Sequence, residues 1–187
     1  EMETQARVLV VDDEETIREL LCESLSLEGY ESHPAASVEE ALAKLAQMPF
    51  DLVLCDIKMP GRSGLELLQE MKEKYPHSAV IMATAVAELS PAIESLKMGA
   101  QDYLLKPFNL SEISLAVTHA LEKRRLAIEN RTYQEELSAR VEAATRNLEK
   151  VNHELVETKQ YLENLLNSTV DGILTIDPHG MVNFTNT

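Results

Sequence analysis

The sequence has no tryptophan and only two cysteines, Cys22 and Cys55, which do not form a CxxC pair. It therefore gives no support to a disulfide framework or a zinc site, and reduced thiols are typical of the cytoplasm. No apolar run approaches the roughly 18 residues of a membrane span. The first seven residues are polar and do not resemble a secretion signal. We therefore expect a cytoplasmic location and no membrane partner.

Basic residues are also scarce. Seventeen Lys and Arg stand against 32 Asp and Glu, which leaves a net charge of −15. Such a charge repels nucleic acid unless a basic patch overrides it, and the sequence contains no such patch. We therefore expect no direct nucleic-acid partner.

Length and apolar content set the number of domains that we expect. The 44% of hydrophobic residues excludes a wholly disordered chain. The 187 residues exceed a common single domain of roughly 100 to 150, which predicts one domain with an appendage. Because Glu1 precedes Met2 and the final pattern stops at Thr187, we also expect a piece of a longer protein.

Five short apolar runs alternate with segments of helical spacing along the first 120 or so residues. Gly29 predicts the end of the first helix, and Ser37 predicts the start of the second. This alternation predicts an α/β fold, with a parallel sheet, right-handed crossovers and helices on both faces. The five predicted strands are 8–11, 31–35, 52–55, 79–83 and 102–105.

Polar residues follow four of these strands: Asp12 and Asp13, Asp56, Thr84 and Lys106. Each of these residues alone has an ordinary explanation. Asp13 could cap a helix, Thr84 could be a β-branched strand residue, and Asp56 and Lys106 could simply begin a loop or a turn. In a parallel sheet, however, all of them meet at the carboxyl edge, where ligands bind. Clustered carboxylates indicate a bound Mg²⁺. One carboxylate can then act as a nucleophile toward phosphorus, with an ammonium and a hydroxyl to contact the phosphoryl oxygens.

Four motifs resemble the receiver domain of two-component response regulators: VLVVDDEE at 8–15, LVLCDIKMPGRSG at 52–64, VIMATA at 80–85 and YLLKPF at 103–108. The resemblance spans about Arg7 to Arg125. It implies a flavodoxin-like, doubly wound sheet with strand order 2-1-3-4-5. It also implies that a histidine kinase or phosphotransfer protein donates a phosphoryl group from a phosphohistidine.

The resemblance assigns a role to each site residue. Asp56 is implied to be the phosphoacceptor, and Lys106 is implied to form an ion pair with the phosphate. The peptide bond between Lys106 and Pro107 is implied to be cis. The implied Mg²⁺ ligands are Asp12, Asp13, Asp56 and the backbone carbonyl of Lys58, with Asp12 acting mainly through water. Backbone N–H groups of Ile57 and Ala85 are implied to bind the phosphate. Thr84 and Tyr103 are implied to form the conformational switch.

A heptad pattern covers the next part of the chain. Eight of its nine a and d positions are apolar, and the exception is Thr158. The nine are 137, 141, 144, 148, 151, 155, 158, 162 and 165. This pattern predicts a coiled coil and a homodimer. The same register places Asn130 and Gln134 at d and a positions, and this polar break is a hypothetical site of signal-dependent rearrangement.

Residues 167–187 read as strand, turn and strand, and they resemble the start of a PAS sensory domain. The predicted domains are therefore a receiver at 1–125, a coiled-coil linker at 126–166 and a truncated PAS-like start at 167–187. One alternative is a fragment of a hybrid histidine kinase or a cyclic-dinucleotide enzyme, which leaves enzymatic activity undecided. Two others are a degenerate receiver that binds partners without phosphorylation, and a DNA-binding regulator.

Overall fold

The computed structural model of the protein describes residues 5–85, 89–168 and 174–185. The chain divides into two compact units between residues 130 and 131. No helix in these described ranges is both long and apolar enough to cross a bilayer.

Unit 1 alternates strands with helices in the order that the sequence predicts. Its strands are β1 (Arg7–Val11), β2 (Glu31–Ala35), β3 (Leu52–Asp56), β4 (Ala79–Ala85) and β5 (Asp102–Lys106). Its first four helices are α1 (Glu15–Leu27), α2 (Val38–Gln47), α3 (Gly64–Lys74) and α4 (Leu89–Lys97). A fifth helix, α5 (Leu110–Ser168), begins in this unit and continues into the second.

The five strands form one parallel sheet in the order β2-β1-β3-β4-β5. The predicted fold class, including the flavodoxin-like strand order, is therefore confirmed. All residues of the central strand β3 are buried, as expected when helices cover both faces of a sheet. The register places Asp56 opposite Ala83, so the carboxyl ends of β3 and β4 lie side by side.

Successive residues of each strand enter two different cores, because side chains alternate across a sheet. Leu9 and Val53 belong to the core that includes residues of α2 and α3. Val8 and Leu54 belong to the other, which includes residues of α1 and α5. The two cores hold the strands firmly and leave their polar carboxyl ends for the site.

The predicted start of α2 and the predicted end of α1 are both confirmed. Ser37 caps α2, and its side chain accepts a hydrogen bond from Glu40 N at 3.2 Å. Gly29 follows α1 with φ of +91°, a left-handed conformation that favours glycine. Both residues end or begin helices at points where the chain must turn toward the next element.

Helix α5 changes its environment along its length. Near its start, Ile113, Ala116, Val117 and Ala120 are buried in unit 1. Within unit 2, residues 131–165 are all exposed in the single chain. The predicted domain boundary at 125/126 falls inside this continuous helix and stays a prediction.

A two-stranded hairpin follows α5 in unit 2. Strand β6 (Leu174–Ile176) pairs antiparallel with β7 (Val182–Thr185). Asp177 stabilises the turn, since its Oδ1 accepts bonds from the backbone N–H groups of His179 and Met181 at 2.8 and 2.9 Å. The hairpin matches the predicted strand, turn and strand. Residues 169–173 and 186–187 of the predicted PAS-like segment lie outside the described residues.

Candidate functional site

Three carboxylates converge at the carboxyl edge of the sheet. Asp12 and Asp13 follow β1 directly, and Asp56 is the last residue of β3. One carboxylate oxygen from each lies within 4.8 Å of the other two. Asp12 and Asp56 are buried, whereas Asp13 is exposed. The adjacency of β1 and β3 in the sheet therefore brings together residues that are more than 40 positions apart.

Lys106, the last residue of β5, reaches across the edge to two of these carboxylates. Its Nζ donates to Asp12 Oδ2 at 2.7 Å and to Asp56 Oδ2 at 2.5 Å. The peptide bond from Lys106 to Pro107 is cis, as the resemblance implies. The ammonium thus offsets part of the negative charge that the buried pair of carboxylates would otherwise carry.

Burial and charge act against each other on these groups. Burial raises the pKa of Asp56 above its usual value, although hydrogen bonds from Lys106 and Lys58 N favour its charged form. Burial disfavours the Lys106 ammonium, but its bonds to Asp12 and Asp56 outweigh this and raise its pKa. Burial, reinforced by the charges of Asp56 and Asp12, raises the pKa of the Cys55 thiol. The charges on Asp56 and Lys106 therefore depend on burial and on the charged groups beside them.

The donor set fits a divalent cation with oxygen ligands. Asp12, Asp13 and Asp56 supply carboxylate oxygens only, as Mg²⁺ requires, and exposed Asp13 keeps one side open to water. Close carboxylates repel one another, and a cation held among them removes that repulsion. Arg18 supports this arrangement, because its Nη1 donates to the carbonyl oxygens of Asp12 and Asp13 at 2.6 and 3.2 Å. The sequence pattern gave no signal for the contact that Arg18 makes with this loop.

Thr84 carries a hydroxyl that is ready to accept a new partner. It lies near the end of β4, is 1% exposed, and its Oγ1 has no hydrogen-bond partner within the described part of the chain. An unpaired buried hydroxyl is unfavourable, which leaves this group available for a ligand at the edge of the sheet. Ala85 follows at the exposed end of β4, paired in register with Lys106. Tyr103 is half-buried on β5, opposite Met82.

Two consecutive backbone N–H groups lie next to the Asp56 side chain in the sequence. The N–H of Ile57 donates to the carbonyl oxygen of Ala83 at 2.9 Å, so the β3–β4 edge already uses it. The next N–H, that of Lys58, donates to Asp56 Oδ1 at 3.2 Å. Both N–H groups therefore already have an acceptor within the protein, and the phosphate contact of Ile57 stays a prediction. Residue spacing alone does not reveal which of two consecutive N–H groups points into the site.

Comparisons with known proteins agree with this geometry. Residues 8–118 match the response regulator receiver domain family. Over 132 residues the chain is 40% identical to regulatory protein AtoC of Escherichia coli strain K12, a match that covers 71% of this chain and 29% of that protein. Over 121 residues it is 41% identical to response regulator protein PilR of Pseudomonas aeruginosa, covering 65% and 27% of the two chains. The chain thus spans less than a third of these curated relatives.

Solved structures show the same similarity. A response regulator receiver domain protein from Clostridium thermocellum superposes with a TM-score of 0.62 and 37% identity, covering 65% of this chain and 98% of the other. NtrX from Brucella abortus superposes with a TM-score of 0.65 and 36% identity, covering 67% and 29%. With a matching sheet order, a convergent acidic site and these relatives, the chain belongs to the response regulator receiver domain family.

Proposed function

We propose that the protein accepts a phosphoryl group on Asp56 from the phosphohistidine of a histidine kinase or phosphotransfer protein. The observation that carries this proposal is the convergence of three carboxylates within 4.8 Å, two of them bonded to Lys106. A structural ion pair would need one carboxylate rather than three. The open side at Asp13 further favours a site that receives a ligand.

The cation site would consist of Asp12, Asp13, Asp56 and the backbone carbonyl of Lys58. When bound, Mg²⁺ offsets the charge of the phosphoryl oxygens and of the clustered carboxylates. The chain itself holds these ligands in place: Asp12 Oδ1 accepts a bond from Glu14 N at 2.9 Å. Its Oδ2 is fixed by Lys106, so that Asp12 is positioned from both sides.

In the transfer step, a carboxylate oxygen of Asp56 forms a bond to phosphorus as the phosphorus–nitrogen bond of the donor breaks. The donor imidazole nitrogen keeps the electron pair. Lys106 favours the ionised form of Asp56 before transfer and then pairs with the phosphoryl oxygens. Backbone N–H groups of Ile57 and Ala85 and the Thr84 hydroxyl complete the set of phosphoryl contacts.

The signal would leave the site through Thr84 and Tyr103. Movement of the Thr84 hydroxyl toward the phosphate opens space on the β4–β5 side, and inward rotation of Tyr103 fills it. This exchange is the kind of local event that biases a two-state surface. It is supported by Thr84 Oγ1, which has no hydrogen-bond partner among the described residues, and by the half-buried position of Tyr103.

The output side of the proposal is a cytoplasmic homodimer whose coiled coil spans residues 126–166 and leads to a PAS-like domain that starts near residue 167. Support comes from the heptad pattern and from the exposure of its apolar residues in the single chain. Leu148 is 69% exposed and Leu155 is 65% exposed. An exposed stripe of this kind is stabilised when a second helix covers it.

The phosphoacceptor is tested by mass spectrometry after incubation with acetyl phosphate and Mg²⁺. The native chain should gain the mass of one phosphoryl group, and Asp56→Asn should gain none. Asp102→Asn is the matched control, because Asp102 begins β5 at the opposite end of the sheet, and it should behave like the native chain. Absence of added mass on the native chain, or its retention in Asp56→Asn, would contradict the proposal.

A further inference from the structure

We propose that Gly64 is a positioning residue for the phosphoacceptor, because the first turn of α3 rests directly on the main chain of Asp56. A Cβ atom added at Gly64 would lie 2.1 Å from the Asp56 carbonyl oxygen and 2.9 Å from Cys55 Sγ. Nonbonded heavy atoms do not approach this closely, so a methyl group at residue 64 would displace either the first turn of α3 or the end of β3. The inference rests on the proposed role of Asp56.

Gly64 is needed for space and not for its backbone conformation. It is the first residue of α3, and its φ is not among the positive values. Gly29 is the converse case, since it has φ of +91° and no atom within 4 Å of an added Cβ. Alanine at Gly29 would strain the local backbone, whereas alanine at Gly64 would push against the residue that carries the reactive carboxylate.

The first turn of α3, which carries Gly64, is held in place by hydrogen bonds. Ser63 and Glu66 form a capping box, in which Ser63 N donates to Glu66 Oε2 at 2.8 Å and Glu66 N donates to Ser63 Oγ at 3.4 Å. Gly64 N also donates to the carbonyl oxygen of Ile57 at 2.9 Å. The first turn of α3 is thereby tied to the residue immediately after Asp56 and cannot move away independently of it.

The strand side is the end of β3, and any adjustment there moves the carboxylate. Real Cβ atoms essentially never lie closer than 3.0 Å to another heavy atom, so even that limit requires a shift of nearly 1 Å from the present 2.1 Å. Asp56 Oδ2 lies 2.5 Å from Lys106 Nζ and Oδ1 lies 3.2 Å from Lys58 N. A shift of about 1 Å is enough to lose these alignments, and misplacement on this scale costs reaction rate by orders of magnitude.

The test compares Gly64→Ala with the native chain and with Gly29→Ala, which controls for a general loss of stability at a distant glycine. We would measure the phosphorylation rate with acetyl phosphate, the Mg²⁺ dissociation constant by calorimetry and the thermal unfolding temperature of each full chain. Gly64→Ala should phosphorylate at least about tenfold more slowly and bind Mg²⁺ more weakly. Gly29→Ala should lose stability but keep the native rate and Mg²⁺ affinity.

A second pair of variants separates the two contacts of the added methyl group. Cys55→Ala removes the sulfur at 2.9 Å but leaves the carbonyl oxygen at 2.1 Å. The double variant Gly64→Ala with Cys55→Ala should therefore remain slow relative to Cys55→Ala alone. Recovery of the rate in the double variant would assign the effect to the sulfur and overturn the proposal.

The remaining outcomes are also decisive. A folded Gly64→Ala chain with native rate and Mg²⁺ affinity overturns this inference, while phosphorylation of the native chain leaves the role of Asp56 intact. If the native chain takes no phosphoryl group, both proposals fall. If Gly64→Ala does not fold, Ser63→Ala loosens the same turn without adding an atom at residue 64. A rate several-fold below native then supports the inference, and an unchanged rate overturns it.

Discussion

The two units use the same apolar residue types in opposite ways. In unit 1, Leu9, Leu54 and Ile81 are at most 1% exposed between the sheet and its helices. In the helix of unit 2, Leu137 is 50% exposed and Leu155 is 65% exposed. Burial of apolar surface therefore stabilises the receiver within one chain. The heptad stripe gains no such stabilisation until another surface covers it.

The largest expected effect is on the free energy of unfolding, when a leucine is replaced by alanine in unit 1 and, for comparison, in the helix of unit 2. Leu54→Ala should lower the free energy of unfolding of the receiver by about 2–5 kcal/mol, because it leaves a cavity in a closed core. Leu155→Ala should change it by less than about 0.5 kcal/mol, because that side chain is exposed in the single chain. Urea unfolding, followed by hydrogen exchange of peptides from β1 and β3, measures both values. Equal losses in the two variants would contradict the contrast between the regions.

The second prediction concerns self-association. Leu148→Asp places a charge at an a position of the heptad pattern and should weaken dimerisation at least about tenfold, or about 1.4 kcal/mol. Ala143→Asp is the matched control, because it adds the same charge at a c position that faces away from the seam. Sedimentation equilibrium over a range of concentrations measures both variants. If Leu148→Asp associates as tightly as Ala143→Asp, residue 148 does not lie at a dimer seam.

Much of the receiver could be predicted because its signals are local or follow from parallel topology. Each strand is a short apolar run, and the order of strands and helices brings Asp12, Asp56 and Lys106 to one edge. Ser37 and Gly29 mark helix ends by their own chemistry. The predicted strands differ from the observed ones by no more than two residues at either end.

Other features depend on contacts that a linear pattern does not contain. The use of the Ile57 N–H by Ala83 follows from the register of β3 against β4. The approach of Gly64 to the Asp56 carbonyl depends on where α3 sits over the strand. The polar residues Asn130 and Gln134 interrupt the heptad pattern without interrupting helix α5, because both are compatible with a solvated helix surface. Sequence spacing therefore locates chemical groups better than it locates the main chain between them.

The smallest expected effect tests how α5 is held to the receiver. Arg124 Nη2 pairs with Asp51 Oδ1 at 2.9 Å, and its Nε donates to the carbonyl oxygen of His77 at 2.5 Å. Within the described ranges, the Arg125 side chain makes only a distant ion pair with Glu129, at 3.9 Å on the exposed surface. Arg124→Ala should therefore lower the free energy of unfolding by about 1–2 kcal/mol, and Arg125→Ala by less than about 0.5 kcal/mol.

Urea unfolding compares these two arginine variants directly, and hydrogen exchange of peptides from the first part of α5 locates the effect. Exchange should rise there in Arg124→Ala and remain native in Arg125→Ala. Of these two arginines, Arg124 alone makes short bonds to the rest of unit 1 in the part of the chain that the structure describes. Equal exchange in both variants would show that the apolar contacts of Ile113 and Val117, both at most 1% exposed, are sufficient to hold the helix. The difference in hydrogen exchange between Arg124→Ala and Arg125→Ala thus shows whether polar contacts at residue 124 help to hold α5 against the rest of unit 1.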